Sequence, residues 1–185
     1  MIGFAMCGSY CTHRKALEQL EKLTLIDEVQ PIMSENVYSV DTHFGSAAVL
    51  KERVESICGR SIIHTVVEAE PLGPKTPLDA LIICPCTGNT LAKMALGITD
   101  TSVTMAAKAH LRSDRPLVIA LASNDALSSN LKNIGTLLSR KHVYFVPMTQ
   151  DDPEKKPHSL VADFSQLIPT YNSAIKGKQY QKIFI

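Results

Sequence analysis

The chain has 185 residues, of which 45% are hydrophobic and 20% are charged, and this composition fits one soluble globular domain with a sizeable core. The formal net charge is +1, so no overall electric field attracts nucleic acid or an anionic membrane surface. Aromatic residues make up only 5% and no Trp is present, which argues against a stacking platform for single-stranded nucleic acid.

Five short apolar runs predict β-strands, and they are, in chain order, Ile2–Met6, Val29–Met33, Ala80–Cys84, Leu117–Ala122 and Val143–Pro147. They do not alternate apolar and polar residues, which is typical of strands buried on both faces of a parallel sheet. Segments with helical spacing lie between them, with apolar faces at Leu17, Leu20 and Leu23, at Leu50, Val54 and Ile57, and at Leu91, Met94 and Ala95. The alternation predicts an α/β fold: a single-domain, doubly wound parallel sheet over residues 1–185, Rossmann-like, with helices on both faces.

Two proline-rich segments, Glu70–Asp79 and Gln150–Ser159, predict irregular loops. The chain ends on Ile183, Phe184 and Ile185, and such an apolar terminus either packs on its own core or reaches a neighbouring subunit. The tail, about residues 171–185, is therefore a candidate subunit contact.

The cellular location follows from the absence of export signals and from the cysteine count. No apolar stretch approaches the roughly 20 residues that a membrane span needs. The basic residues near the N-terminus follow its short apolar run, which is the reverse of a signal peptide. The five cysteines are an odd number and indicate reduced thiols. We expect a cytoplasmic protein without a membrane partner.

Small and polar residues follow the predicted strands, where ligands bind in an open parallel sheet. They are Gly8 and Ser9, Ser34, Pro85, Thr87 and Asn89, Asn124 and Asp125, and the stretch from Thr149 to Ser159. Glycine, hydroxyl and amide residues allow backbone N–H groups to approach a phosphate. The sequence therefore predicts one pocket for an anionic nucleotide.

Two of these turns have a second, purely structural interpretation. The turn at Gly8 has the geometry of mononucleotide folds, yet it lacks the dinucleotide fingerprint, and its glycine can equally serve a positive φ. After the third strand, Thr87, Asn89 or Thr90 can cap a helix that Gly97 ends, while the first N–H groups of that helix still face a ligand.

The cysteines and histidines do not predict a metal site. Cys7 and Cys84 fall at the ends of apolar runs, where a free cysteine behaves as a small hydrophobic residue. A C-x-x-C pair is absent, so redox chemistry at the thiols is not expected either. The histidines are scattered and are expected on the surface or on helix faces, with His158 in a loop near the predicted pocket.

The segment PCTGNTLAKMALGITDT, residues 85–101, resembles the signature P-[AS]-[ST]-x-N-T-[IL]-A-K-[IL]-A-x-G-I-x-D of the flavoprotein family. That family includes flavin-dependent cysteine decarboxylases and prenyl-flavin synthases, and CGSYCTHRKA resembles its first strand-to-helix turn. The resemblance implies FMN or another phosphate-bearing nucleotide as cofactor. The residues that it places around the cofactor are Gly8, Ser9, Ser34, Pro85, Thr87, Asn89 and Thr104.

Two family features are replaced in this chain. EAEPLGPK stands where the decarboxylases have a catalytic His, and SNDALSSN stands in place of their P-x-M-N-x-x-M-W clamp. Decarboxylation is therefore not expected.

Four loop segments, DTHFGSA, AEPLGPKTPLDALI, the stretch 105–130 and PMTQDDPEKKPHSLVADF, narrow the resemblance to one subgroup. Its members work with a separate dehydrogenase subunit, expected to carry NAD(P), and form a pyridine dicarboxylate from a lysine-pathway intermediate. The resemblance places this activity in the mother cell of a sporulating bacterium. It also implies a homo-oligomer built from trimers.

A dicarboxylate substrate favours lysines and amides, so Lys75, Lys155, Lys156 and Asn124 are candidate substrate-binding residues. Alternatively, Lys155 and Lys156 form a solvated basic turn. Loss of water from the substrate needs an acid or base, and the residues that could serve are Asp125, Asp151, Asp152, Glu70 and His158. Of these, Asp125 and His158 are the candidates that we select. A non-catalytic nucleotide- or FMN-binding module that scaffolds or activates the dehydrogenase subunit is the competing hypothesis.

Overall fold

The computed structural model describes residues 1–73 and 75–185, so Pro74 of the predicted loop Glu70–Asp79 lies outside the described residues. The strands are β1 (Ile2–Met6), β2 (Val29–Met33), β3 (Ala80–Cys86), β4 (Leu117–Ser123), β5 (Val143–Phe145), β6 (Met148–Thr149) and β7 (Leu160–Ala162). The α-helices are α1 (His13–Thr24), α2 (Glu35–Ser39), α3 (Ala47–Cys58), α4 (Val66–Ala69), α5 (Gly88–Leu96), α6 (Ser102–Leu111), α7 (Leu131–Leu138) and α8 (Leu167–Ala174). Short 3-10 helices cover Tyr10–Thr12 and Phe164–Gln166.

The predicted parallel sheet is confirmed, with β2, β1, β3, β4 and β5 parallel in that spatial order. The strand order reverses between β1 and β3, as in a doubly wound fold. An extension was not predicted: β7 pairs antiparallel with the carboxyl end of β4, and β6 pairs with β7. These two strands have three and two residues, which is too short for a periodic pattern to reveal them.

Helices cover both faces of the sheet, and each face has its own hydrophobic core. On one face, Leu20 and Leu23 of α1 and Val54 of α3 are fully buried, together with residues of α8. On the other face, Leu91 and Met94 of α5 pack with residues of α6 and α7. The helical faces predicted for α1, α3 and α5 therefore point to the sheet. None of the described helices is long and apolar enough to cross a membrane.

The C-terminal tail closes the open edge of the sheet. The side-chain amide of Gln179 bonds both backbone groups of Phe145, at 2.9 and 2.7 Å. Met148 N–H then donates to the Ile183 carbonyl at 2.7 Å. Phe184 nevertheless keeps 53% of its surface exposed, so the tail packs on its own sheet while its last side chains face outward.

Candidate functional site

A cleft of about 640 Å³ opens where β1, β3 and β4 end. It is lined by Ser9, Cys11 and Thr12 after β1, by Thr87, Gly88 and Asn89 after β3, by Ala122, Ser123, Asn124 and Asp125 at the end of β4, and by Asp151, Lys156, Ser159 and Val161. This is the carboxyl edge of the sheet, at the point where strand order reverses. The cleft brings together six of the predicted site residues: Ser9, Thr87, Asn89, Asn124, Asp125 and Lys156.

The turn after β1 presents Ser9 rather than a glycine in the left-handed conformation, with φ 60° and ψ 48°. The interpretation that Gly8 supplies the positive φ is therefore wrong. A Cβ atom at Gly8 would lie 3.3 Å from the Thr87 Cγ2 atom, so this turn packs closely on the start of α5. The Ser9 hydroxyl donates to the Ala122 carbonyl at 2.8 Å, which ties this turn to the end of β4.

Helix α5 begins at the cleft with Thr87 as its cap, since the Thr87 Oγ1 atom accepts from the Thr90 N–H at 3.3 Å. Asn89 lies in the first turn. The first N–H groups of a helix have no partner within the helix, and the helix dipole favours an anion there. Gly88 allows close approach: its Cβ would lie 2.7 Å from both the Asp125 Oδ1 atom and the Asn130 amide nitrogen. The segment after β4 therefore packs directly on the start of α5.

Asp125 is a fully engaged hydrogen-bond acceptor. Ser123 donates a short hydrogen bond to it, Ser129 donates at 3.0 Å, and the Asn130 amide lies 2.9 and 2.8 Å from its two oxygens. The hydrogen bond from Ser123, with those from Asn130 and Ser129, lowers the pKa of Asp125, although partial burial acts in the opposite direction. Asp125 is thus a carboxylate at neutral pH, unsuited to act as a proton donor.

The loop between β6 and β7 brings an ion pair to the cleft. The Lys156 ammonium lies 2.8 Å from Asp151 Oδ2. This contact lowers the pKa of Asp151 and raises the pKa of Lys156. The cleft lining therefore combines two carboxylates with one ammonium, and an anionic ligand must compete with Asp151 for Lys156.

Several predicted site residues lie outside the lining of the cleft. Ser34 precedes α2, and its N–H bonds to the end of β1. Thr104 is buried in α6, where it forms a capping box with Thr101. The Glu35 carboxylate accepts from the Ser102 N–H at 2.9 Å, so an internal anion already occupies the start of α6.

The remaining candidates occupy different parts of the fold. Pro85 lies within β3, and its carbonyl accepts from the Cys7 N–H at 3.2 Å, joining the ends of β1 and β3. Lys75 belongs to the loop that leads into β3, so it lies at the amino edge of the sheet, away from the cleft. Lys155 and His158 are exposed in the loop that carries Lys156, and His158 directly precedes the lining residue Ser159.

Sequence reasoning did not find a second cavity, a groove of about 550 Å³ between α1, α2 and α3. Its lining is mainly apolar and includes Leu17, Val37, Val40 and Leu50, with Phe44 at its mouth. Only the fold brings these side chains together, because they come from three separate helices and a loop. The groove adjoins the cleft at Cys11, which lines both.

The thiols near the cleft are not arranged for metal binding. Burial raises the pKa of Cys7 to about 11 and raises those of Cys84 and Cys86 as well, which keeps these thiols protonated. Within residues 1–73 and 75–185, no group of three or more His, Cys, Asp or Glu side chains is placed to hold an ion. Cys7 and Cys84 instead pack in the core, as predicted from the apolar runs.

Comparison with known proteins supplies a family for this arrangement. The chain is 43% identical to the B subunit of dipicolinate synthase of Bacillus subtilis over 185 residues, which cover all of this chain and 92% of that protein. The crystal structure of the B subunit of dipicolinate synthase from Bacillus halodurans superposes with a TM-score of 0.91 at 42% identity, covering 100% of this chain and 95% of the other.

More distant structures share the fold alone. The crystal structure of AnUbiX in complex with FMN and dimethylallyl pyrophosphate has a TM-score of 0.66 at 18% identity, and the match covers 98% of this chain and 96% of that one. The Flavoprotein family model matches residues 1–167. The chain therefore belongs to the Flavoprotein family.

Proposed function

We propose that this chain acts as a B subunit of dipicolinate synthase, together with a separate dehydrogenase subunit that carries NAD(P). The observation that carries this proposal is the 43% identity over all 185 residues of the chain, which match 92% of that relative. Under this proposal the protein works in the mother cell of a sporulating bacterium, as a homo-oligomer built from trimers. The exposed Phe184 at the end of the tail is a candidate contact between its copies.

The cleft suits a phosphate-bearing nucleotide, with FMN as the first candidate. The Asn89 amide and the first N–H groups of α5 lie at the cleft and form a donor set for phosphate oxygens. The hydroxyls of Ser9 and Thr87 already donate to the Ala122 carbonyl and to Thr90 Oγ1, so they can accept from ribityl hydroxyls. Lys156 supplies the positive charge once Asp151 releases it. FMN, when bound, supplies an acceptor for a two-electron oxidation.

The chain's own residues bind and orient the substrate in this proposal. Lys156 and Asn124 hold a carboxylate of the substrate at the mouth of the cleft. Asp125 is ionised and fixed by three neighbours, so its role in this proposal is to stabilise positive charge rather than to donate a proton. His158, beside the cleft, is the candidate for proton delivery.

A non-catalytic role is the second candidate, and one observation favours it. The part of the cleft that the structure describes has no histidine in its lining, and the oxygens of Asp125 are already engaged by Ser123, Ser129 and Asn130. A module of this kind binds the nucleotide and activates the dehydrogenase subunit without turning over the substrate itself.

Reconstitution with the dehydrogenase subunit separates the two roles. Dipicolinate formation is measured for the dehydrogenase alone, with this chain, and with the variants Asn89→Ala and Asp125→Asn. A catalytic role predicts that Asp125→Asn lowers the rate at saturating substrate while the two subunits still associate. A rate for the dehydrogenase alone that equals the rate of the mixture would contradict both roles.

Ligand binding is tested by a matched pair of lysines in one loop. Lys156 lines the cleft, whereas Lys155 is exposed beside it and lies outside the lining. Lys156→Gln is expected to weaken FMN binding about tenfold, the loss of one charge-assisted hydrogen bond. Lys155→Gln is expected to leave binding within about twofold. Equal losses in both variants would mean that the loop acts only through its overall charge.

A further inference from the structure

A buried histidine, His13, contacts the backbone of the turn after β1. The His13 Nε2 atom lies 2.9 Å from the Cys7 carbonyl oxygen and 3.3 Å from the Gly8 carbonyl oxygen. Carbonyl oxygens only accept hydrogen bonds, so Nε2 must carry the proton. His13 is only 8% exposed, and the Tyr10 ring packs against it at 5.0 Å between ring centroids. Its position is therefore fixed by packing.

The contact with His13 also determines where the N–H groups of Gly8 and Ser9 point, because of the geometry of the peptide group. The peptide bonds from Cys7 to Gly8 and from Gly8 to Ser9 are trans, so each carbonyl points opposite to the N–H of the same peptide unit. The Cys7 carbonyl belongs to the same peptide unit as the Gly8 N–H, and the Gly8 carbonyl belongs to the same unit as the Ser9 N–H. Both N–H groups therefore point away from His13.

The two sides of this turn are different environments. His13 lines the apolar groove, whereas Ser9 lines the cleft. The carbonyls of the turn thus face the groove side, and its N–H groups face the cleft. Burial lowers the pKa of His13, although its bonds to the carbonyls of Cys7 and Gly8 act in the opposite direction, and the ring is neutral at neutral pH. It adds no charge that would attract an anion by itself.

We propose that His13 is a positioning residue, which fixes the turn so that the N–H groups of Gly8 and Ser9 bind the phosphate of the ligand in the cleft. This inference rests on the proposed function, because that proposal puts a phosphate-bearing ligand there. It assigns His13 a role in ligand binding without contact to the ligand.

Two substitutions distinguish the effect of the hydrogen bonds from His13 from the effect of its side-chain volume. His13→Phe keeps an aromatic ring of similar size but has no donor. His13→Gln places an amide N–H near the position of Nε2 and can donate to the same carbonyls. Thermal unfolding of both variants shows how far each is folded. If His13→Phe is not folded, His13→Asn serves instead, since its shorter amide cannot reach both carbonyls.

The probes are FMN and riboflavin, which differ by the phosphate alone, and inorganic phosphate as a competitor. The wild-type protein and His13→Gln are expected to bind FMN more tightly than riboflavin. His13→Phe is expected to lose about tenfold in FMN affinity, the equivalent of one hydrogen bond, with riboflavin affinity within about twofold of wild type. A loss of folding alone would weaken both flavins equally.

The outcomes distinguish this inference from the function on which it rests. If His13→Phe keeps the wild-type preference for FMN over riboflavin, the role of His13 is refuted and the proposed ligand stands. If wild type binds neither flavin nor inorganic phosphate, the anion-binding function of the cleft is refuted and the inference falls with it. Equal loss of FMN and riboflavin binding would assign His13 a role in stability only, which also overturns the inference.

Discussion

The cleft and the groove lie on two sides of one turn and differ in the side chains that line them. The cleft is lined by hydroxyls, amides, two carboxylates and one ammonium, and it opens at the carboxyl ends of β1, β3 and β4. The surface of the groove is mainly apolar, with aliphatic side chains such as Leu17, Val37 and Leu50, although charged residues of α1 and α3 also line it. Both have volumes that would hold a small ligand, so volume does not identify the functional site. The convergence of polar groups at the strand ends favours the cleft as the binding site.

The difference originates in the backbone of the turn after β1. The carbonyls of Cys7 and Gly8 face His13, which lines the groove, while Ser9 of the same turn lines the cleft. The following substitutions test whether the two cavities are as independent as their chemistry indicates.

The largest effect is expected from Gly88→Ala. The added Cβ would lie 2.7 Å from Asp125 Oδ1 and from the Asn130 amide nitrogen, so the segment after β4 must move away from α5. We expect a loss of about 3 kcal/mol in the free energy of unfolding and no FMN binding. Urea denaturation and flavin titration measure the two effects.

Gly135→Ala in α7 is the matched control for this substitution. A Cβ at Gly135 meets nothing within 4 Å, and alanine favours the helix by about 1 kcal/mol. A neutral Gly88→Ala variant would mean that the cleft tolerates more motion than its packing indicates.

A smaller loss is expected from Asp125→Asn. The amide nitrogen that replaces Oδ2 is a donor and cannot accept the hydrogen bonds from Ser129 and Asn130, so we expect a loss of about 2 kcal/mol. The lowered pKa of Asp125 also means that its contribution is complete above the ordinary pKa of 3.8 and is lost as the pH falls through its lower folded value. The difference in the free energy of unfolding between wild type and Asp125→Asn should therefore be full at pH 7 and smaller at acidic pH, as measured by urea denaturation. A difference of the same size at both pH values would contradict the assigned hydrogen bonds.

On the groove side, His13 should also lower the stability as the pH falls, beginning at a higher pH than Asp125. The folded pKa of His13 lies below its ordinary value of 6.5, so between these two values the unfolded chain binds the proton and the folded chain does not. Stability therefore rises with pH through that window and is lost as the pH falls through it. His13→Gln should flatten this part of the profile measured by urea denaturation. An unchanged profile would mean that His13 is exposed to solvent in the folded protein.

The smallest effect is expected at the mouth of the groove. Phe44 is exposed, so Phe44→Ser should change the free energy of unfolding by less than about 0.5 kcal/mol. FMN affinity should also remain within about twofold of wild type, because the cleft lies on the other side of the turn. Loss of FMN binding in this variant would show that the ligand extends into the groove.

The strands and their parallel order were predictable because short, fully apolar runs in a small α/β domain most often form strands buried on both faces. β1 and β2 begin and end where predicted, while β3 and β4 are longer by two residues and one residue. β5 is two residues shorter than the predicted strand Val143–Pro147. The two-residue strand β6 was not predictable, because pairing with β7 and with the tail creates it. The helices α6, α7 and α8 were not assigned from their spacing either.

The site was predictable only as far as strand ends determine it. Ser9, Thr87 and Asn124 follow strands that lie side by side, so their meeting at one edge follows from topology. Thr104 instead forms a capping box with Thr101 at the start of α6. Glu35, from a distant segment, accepts from the Ser102 N–H of the same helix start. The role of His13 depends on the path of the backbone, which residue types alone do not reveal.

The central claim is that one cleft, between the ends of β1, β3 and β4, binds a phosphate-bearing ligand. A crystal structure of the protein soaked with FMN tests it most directly. The account predicts density for the phosphate within hydrogen-bond distance of Ser9 and of the first turn of α5, with Lys156 turned from Asp151 to the ligand. Flavin density confined to the groove between α1 and α3, with the pair of Lys156 and Asp151 intact, would contradict it.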